Sequence, residues 1–288
     1  GFAYRFFDEK NEFGKQAHLH QVMRDPKVGW ENLGGVSSVT KIISKPLTWW
    51  AAGETLKVLG WMHPKPRIAG KYVPTPIEKR LAQLKPIWEG IRTMDDLAII
   101  KLLDTAYKAH DTSLDDSAGA GIDLHAELEV YVKYAIKAGI AKAFPAAGTN
   151  SKVIEFHNWA SKNVKRFLWS EMYSYNLDLW IGGCCDAGAE MKDGKYAIID
   201  FKSHEYPYFS DWVQIAGYDL LISKSGGFTK DGKKVFTLDK PISKYYLIPF
   251  KAENFVANIG INSEVENMKR SFEAAATLNR EKNKYEKY

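Results

Sequence analysis

Asp186, Asp200 and Lys202 are the residues of this sequence whose types and spacing could support chemistry. Asp200 and Lys202 are two positions apart at the end of a predicted strand, so their side chains project to the same side. Asp186 lies on the preceding segment, which is predicted to be the other arm of a β-hairpin. Two carboxylates and an ammonium at the end of a buried strand are costly unless they are paired or bind a ligand. The pattern leaves a functional site and a structural salt bridge as alternatives.

The hairpin is predicted from the dipeptide Asp193-Gly194, which supplies the positive φ angles of a tight turn. The returning strand is apolar enough to be buried, and it leads directly to Asp200. The Asp-x-Lys triplet carries little weight by itself, because it also begins at Asp25, Asp193 and Asp231. Asp200 differs from these in ending a buried strand and in having a second aspartate on the paired arm.

Two predicted helices carry polar residues at one-turn spacing. His125 and Glu129 are four positions apart and therefore share a helix face, with Gly121 one turn earlier. A glycine at that place would let another backbone approach closely. Gln214 and Tyr218 have the same spacing on the helix that follows the hairpin. Each pair taken singly is more typical of an ordinary packed or exposed helix, and it is their combination that is informative.

In order and approximate spacing, these motifs resemble the RecB-like branch of the PD-(D/E)XK nucleases. The matching motifs are Gly121-x3-His125-x3-Glu129, Gly183-x-x-Asp186, Asp200-Phe-Lys202 and Gln214-x3-Tyr218, with Val36-Ser-Ser-Val-Thr-Lys-Ile-Ile43 followed by Trp49-Trp-Ala51 as an N-terminal signature. The resemblance spans about residues 36–250 and is strongest over 118–218. Within the branch, the chain looks most like the stand-alone exonucleases of phage and mitochondrial type.

The resemblance implies a divalent-metal site. Asp186 and Asp200 would hold one or two Mg²⁺ or Mn²⁺ ions, because hard cations prefer carboxylate oxygens. The carbonyl of Phe201 would be a further ligand, and His125 would be a nitrogen ligand that favours Mn²⁺ modestly over Mg²⁺. Related CRISPR-associated and helicase-linked members use four cysteines for an iron–sulfur cluster. No such cluster is expected here, because the sequence has 2 cysteines.

The same resemblance implies roles for the neighbouring polar residues. Lys202 would orient or help to deprotonate the attacking water and would offset phosphate charge. Gln214 and Tyr218 would position either the DNA or the lysine. Glu171 would be a secondary acidic residue of the catalytic site. Glu129 would orient His125 without contacting the metal itself.

The order of predicted elements indicates an α/β protein with a helical N-terminal region. The predicted helices include Met94–His110, a separate helix from Asp115 to about Ala141, and Val153–Trp169. The resemblance makes the core restriction-endonuclease-like, which means a central mixed β-sheet flanked by helices. Residues 1–115 are expected to form an N-terminal strand and helical region that caps the active site. Residues 116–288 are expected to form the nuclease core with a C-terminal helix.

Composition excludes few classes of protein. With 288 residues, of which 45% are hydrophobic and 13% aromatic, the chain can bury a large core. A net charge of +5 is compatible with a polyanionic partner but too common to argue for one. Cys184 and Cys185 are adjacent and cannot form an unstrained disulfide, so an intracellular location is expected. That location is cytoplasmic, or the host cytoplasm if a phage encodes the chain, and an organelle stays open as an alternative. No membrane segment is expected.

Together these features predict a divalent-metal-dependent DNA exonuclease that acts on DNA ends or on single-stranded DNA. Tryptophans interleaved with basic residues in the first 90 positions could stack bases and track phosphates, although tryptophans at helical spacing also build cores. One alternative is a structure-selective or nonspecific DNA endonuclease of the same fold. Others are a hydrolase of another polyanion, such as a nucleotide, and a non-catalytic nucleic-acid-binding protein. The last would be expected to have lost Asp186, Asp200 or Lys202, and all three are present.

Overall fold

A computed structural model describes residues 3–10, 16–43, 48–59, 67–68, 71–72, 76–145, 149–253, 255–260 and 262–285. Along these residues the chain forms β1 (Ala3–Lys10), β2 (Gln16–Met23), β3 (Glu31–Gly35), α1 (Val36–Lys41), α2 (Thr48–Val58), β4 (Arg67–Ile68), β5 (Lys71–Tyr72), α3 (Ile77–Arg92) and α4 (Asp96–Ala138). After a short 3-10 helix (Ile140–Lys142) it continues with α5 (Ser151–Asn163), β6 (Val164–Asn176), β7 (Ile181–Met191), β8 (Tyr196–Lys202), α6 (Phe209–Ser225), β9 (Gly227–Phe228), β10 (Lys234–Phe236), β11 (Ile242–Pro249), β12 (Asn258–Gly260) and α7 (Asn262–Tyr285).

Two compact units divide the chain. The larger contains Gly1–Ser44 and Gly121–Tyr288, and the smaller is Lys45–Ala120. The smaller unit holds α2, the β4–β5 ladder, α3 and the start of α4. Residues 1–44 therefore group with the larger unit, whereas the sequence places them in an N-terminal region that ends at 115. The expected capping of an active site by that region stays a prediction.

The larger unit is built on one mixed sheet, which establishes the α/β class. Strand β7 pairs antiparallel with β6 along its length, and β8 pairs antiparallel with β7 and parallel with β11. A parallel pair needs a crossover connection, and α6 supplies it between β8 and β11. The turn between β7 and β8 has Gly194 at φ 79°, so the hairpin predicted from Asp193-Gly194 is confirmed.

Helices cover both faces of this sheet. Ile198 and Ile199 are consecutive and fully buried in β8, but they belong to different hydrophobic clusters, because neighbouring strand residues face opposite sides. Ile198 packs with residues of α1, α6 and α7, among them Val36, Val213 and Phe272. Ile199 packs with residues of α4 and α5, among them Leu128 and Phe156. The strand that ends in Asp200 and Lys202 is thus held between two helical layers.

Three of the predicted helices are wrong in extent. The helix predicted over Val153–Trp169 ends at Asn163, and the chain continues as β6. The register of β6 shifts between Val164 and Arg166 and again between Phe167 and Trp169, which removes the strict alternation that would have marked a strand. The two helices predicted on either side of Asp115 are one continuous helix, α4. Residues typical of a helix start disfavour a helix interior only slightly, so they did not interrupt it.

Among the described residues, no helix is both long enough and apolar enough to cross a membrane.

Candidate functional site

The candidate site lies where β7 changes partners. Strand β3 pairs with β7 at Gly182, and β8 pairs with β7 from Ala187 onward, so a fork opens between the two partners. Asp186 sits in this fork, and its Oδ2 accepts a hydrogen bond of 2.8 Å from the backbone N–H of Phe201. A side chain thereby takes the place of the next strand-to-strand bond. The fork brings Asp186 to the end of β8, where Asp200 and Lys202 lie.

Asp200 and Lys202 form a buried ion pair. Lys202 Nζ lies 2.6 Å from Asp200 Oδ2, and the two side chains are 12% and 2% exposed. Apart from this ion pair, Asp200 Oδ2 is a buried oxygen without a hydrogen-bond partner among the described residues. Burial lowers the pKa of Lys202, but the charges of Asp200 and Asp211 outweigh it and raise the pKa overall. Lys202 is therefore a protonated ammonium in this state.

Asp186 lies in an environment that disfavours its charge. Burial is the largest effect and raises the pKa of Asp186 well above its usual range, and the charges of Asp200 and Glu171 raise it further. The hydrogen bond from Phe201 and the ammonium of Lys202 act in the opposite direction but are weaker. Two carboxylates in this arrangement repel each other, and a cation between them would relieve the repulsion.

His125 reaches the same place from α4. Its Nδ1 lies 4.0 Å from Asp186 Oδ2, and its ring packs edge-on against the ring of Phe201 with 6.0 Å between centroids. Burial lowers the pKa of His125, although Asp200 and the backbone of Phe201 act to raise it. The imidazole is therefore neutral at neutral pH and keeps a lone pair. Glu129 pairs with Lys133 on α4, and its expected support of His125 stays a prediction.

Gln214 and Tyr218 face Lys202 from α6. Lys202 Nζ donates a hydrogen bond of 2.8 Å to Gln214 Oε1, and Gln214 Nε2 donates one of 2.9 Å to the hydroxyl of Tyr218. Of the two roles expected for these residues, the contacts correspond to positioning of the lysine. Burial raises the pKa of Tyr218 well above its usual range, so the hydroxyl is neutral.

Glu171 lies on β6 beside the fork. The strand pairs on either side of it, Ser170 with Ala187 and Met172 with Cys185, place it opposite Asp186. Its backbone has φ 50°, a left-handed conformation that is uncommon outside glycine. The thiol of Cys184 donates to Glu171 Oε2 over 3.2 Å. Glu171 is thus close enough to act on the charge of Asp186.

A cavity of about 680 Å³ adjoins this side of the fork. It contains polar residues of β2, α1 and β6 together with the rings of Phe6, Tyr173 and Tyr218. Its lining is Phe6, Leu19, His20, Gly35, Val36, Ser37, Ser38, Lys41, Glu171, Tyr173, Gly183, Cys184 and Tyr218. Its volume lies within the range that is usual for ligand-binding clefts.

The donor set suits a hard divalent cation. It offers the carboxylates of Asp186 and Asp200, the buried oxygen of Asp200 being without a hydrogen bond, and the neighbouring backbone of Phe201. Within the described part of the chain, no group of three or more His, Cys, Asp or Glu side chains is placed to hold a metal ion. Magnesium needs no such group, because it is commonly held by one or two carboxylates and completes its shell with water and substrate phosphate.

Two residues that join the site were not predicted from the sequence. Asp211 Oδ1 lies 3.8 Å from Lys202 Nζ, and Asp211 Oδ2 lies 2.8 Å from His204 Nε2. The sequence did contain a signal for Asp211, because this residue precedes Gln214 by three positions and so shares its face of α6. His204 follows the strand in a turn, and no periodic pattern marks it.

No model of a known protein family matches the chain, and no curated protein matches it.

Proposed function

We propose that this protein is a divalent-metal-dependent nuclease of the PD-(D/E)XK type that hydrolyses DNA phosphodiesters from DNA ends. The observation that carries the proposal is the convergence of motifs from separate segments on the end of β8. Gln214 of α6 accepts a hydrogen bond from Lys202, and Asp186 of β7 accepts one from Phe201, which lies between Asp200 and Lys202. His125 of α4 lies 4.0 Å from Asp186. A purely structural salt bridge at the strand end would require only the Asp200–Lys202 pair and not the further contacts.

The mixed sheet flanked by helices also supports a restriction-endonuclease-like core. Strand β7 runs antiparallel to β6 and to β8, and β11 returns parallel to β8 after α6. Asp200 and Lys202 lie at the end of β8 in this arrangement, and Asp186 lies beside them in the fork.

Each side chain has a task that its surroundings fit. Asp186 and Asp200 would hold the cation, with the carbonyl of Phe201 and neutral His125 as further donors. A divalent ion bound there would neutralise phosphate charge and make water a better nucleophile. Lys202 is a fixed ammonium that would orient the water and stabilise the charge on the phosphate. Gln214 holds Lys202 in its orientation, and the adjoining cavity would receive a nucleotide.

The test is a digest of 5′- and 3′-labelled DNA, linear and circular, single- and double-stranded, with Mg²⁺, Mn²⁺ or chelator. Cleavage of linear substrates in the presence of either metal, and loss of cleavage in Asp200→Ala and Lys202→Ala, is the expected result. Efficient cutting of circular single strands would replace the exonuclease by an endonuclease. Wild-type rates in both variants would refute the nuclease assignment.

A further inference from the structure

One face of α6 carries a third polar residue directed at Lys202. Asp211, Gln214 and Tyr218 are spaced by three and four positions, which places them on the same side of the helix. Gln214 already accepts a hydrogen bond from Lys202, and Asp211 Oδ1 lies 3.8 Å from Lys202 Nζ. That distance is an ion pair but is longer than a hydrogen bond. Asp211 is thus a second carboxylate within reach of the lysine.

Asp211 is held so that one oxygen remains for the lysine. Its Oδ2 accepts hydrogen bonds from His204 Nε2 at 2.8 Å and from the backbone N–H of Tyr208 at 2.7 Å. Its side chain is 10% exposed, whereas that of His204 is 26% exposed. A residue that only capped α6 would need the contact with Tyr208. The contact with His204 and the direction of Oδ1 toward Lys202 have no part in capping.

In the absence of a cation, Asp200 is the nearest counter-charge of Lys202. If Asp200 holds a divalent ion, as in the proposed function, its oxygens are shared with that ion and its hold on the lysine weakens. The ammonium then depends on Gln214, which is neutral, and on Asp211, which is charged. We propose that Asp211, oriented by His204, is a positioning residue that becomes the counter-ion of Lys202 when Asp200 binds the cation. This inference rests on the proposed function.

The decisive variant is Asp211→Asn. Asparagine keeps the shape and can still accept from the backbone of Tyr208, but it has no charge to hold the lysine. We expect kcat to fall by about 10- to 100-fold, as is usual when a supporting partner of a catalytic group is removed, with KM unchanged. A pure capping role would lower stability and leave kcat of the folded protein as it was.

A matched control lies two turns further along the same helix. Asp219 is a buried carboxylate that accepts from Tyr245 at 2.7 Å and pairs with Lys269 at 2.7 Å, neither of which is a residue of the candidate site. Asp219→Asn is expected to lower the thermal stability and to leave kcat unchanged. His204→Gln keeps a donor for Asp211 and is expected to lose less kcat than His204→Phe, which is expected to behave like Asp211→Asn.

A second readout does not require cleavage. The rate of acetylation of Lys202 by acetic anhydride, followed by mass spectrometry against exposed lysines, reports how firmly the amine is held. We expect Lys202 to react faster in Asp211→Asn than in wild type when Mg²⁺ is present, and to react at the wild-type rate in Asp219→Asn. A wild-type protein that cuts no DNA would refute the proposed function. Wild-type kcat together with wild-type labelling of Lys202 in Asp211→Asn would refute this inference alone.

Discussion

Replacement of Lys202 by methionine tests the electrostatics of the site through protein stability. The ammonium is the counter-charge of Asp200, whose side chain is 2% exposed. Asp200 Oδ2 has no hydrogen-bond partner among the described residues. Methionine fills a similar volume but leaves the carboxylate buried beside Asp186. Removal of one partner of a buried ion pair destabilises a protein by about 3–5 kcal/mol. We expect a loss of that order for Lys202→Met in chelator at neutral pH.

We also expect replacement of Asp200 and replacement of Lys202 to lower the stability by unequal amounts. Asp200→Asn leaves Lys202 with a hydrogen bond to Gln214 and with Asp211 at 3.8 Å, so its charge is still compensated. We therefore expect Asp200→Asn to be clearly less destabilising than Lys202→Met. The double variant removes both charges and is expected to recover most of the loss, because a neutral pair of similar shape has no buried charge to compensate.

Urea denaturation followed by tryptophan fluorescence measures these differences as a double-mutant cycle. The control is Lys224→Met, which breaks an ion pair of similar length with Asp178, 2.7 Å, whose side chains are 56% and 70% exposed. Exposed pairs of this kind contribute little, so no measurable loss is expected. If Lys202→Met is no less stable than the control, or if the losses of the single variants simply add, the reasoning about the buried pair is wrong.

Three other outcomes follow from single residues. Burial raises the pKa of Asp186, so the contribution of this group to stability is present below its usual pKa and is lost as pH rises through the raised value. Thermal denaturation in chelator should therefore show Asp186→Asn more stable than wild type at neutral pH, with the advantage vanishing in acid. His125→Ala should lose more kcat with Mn²⁺ than with Mg²⁺, and equal losses would contradict a role as nitrogen ligand. Gly183→Ala would place a Cβ 2.7 Å from Val36 and 3.0 Å from Tyr218. It should cost about 1–3 kcal/mol, as overpacking does, and its denaturation curve would show this.

Local chemistry made the centre of the site predictable from the sequence. The dipeptide Asp193-Gly194 determines the turn, and the apolar strand after it brings Asp200 and Lys202 to one side. Helical spacing placed Gln214 and Tyr218 on one face, and the structure brings that face to the lysine. These properties depend only on residues that are close in the sequence, so they can be predicted without knowledge of the tertiary structure.

The features of the fold and of the candidate site that could not be predicted from the sequence depend on tertiary contacts. The sequence predicts residues 164–169, the first part of β6, as the end of a helix because register shifts hide the alternation of a strand. The fork that brings Asp186 to Phe201 depends on where β3 and β8 pair with β7. No local sequence pattern predicts these pairing positions. His204 reaches Asp211 from a turn, and turns have no periodicity from which a contact could be inferred.

The tight turn between β7 and β8 fixes more than the direction of the chain. Because strand side chains alternate, a change of one residue in the turn would rotate every residue of β8 to the opposite face. Asp200 would then enter the layer of α4 and α5, and Phe201 would face α6. In a library of single-codon insertions and deletions, residues 192–195 should be intolerant of any change of length, although Lys192, Asp193 and Lys195 are exposed and should accept substitution.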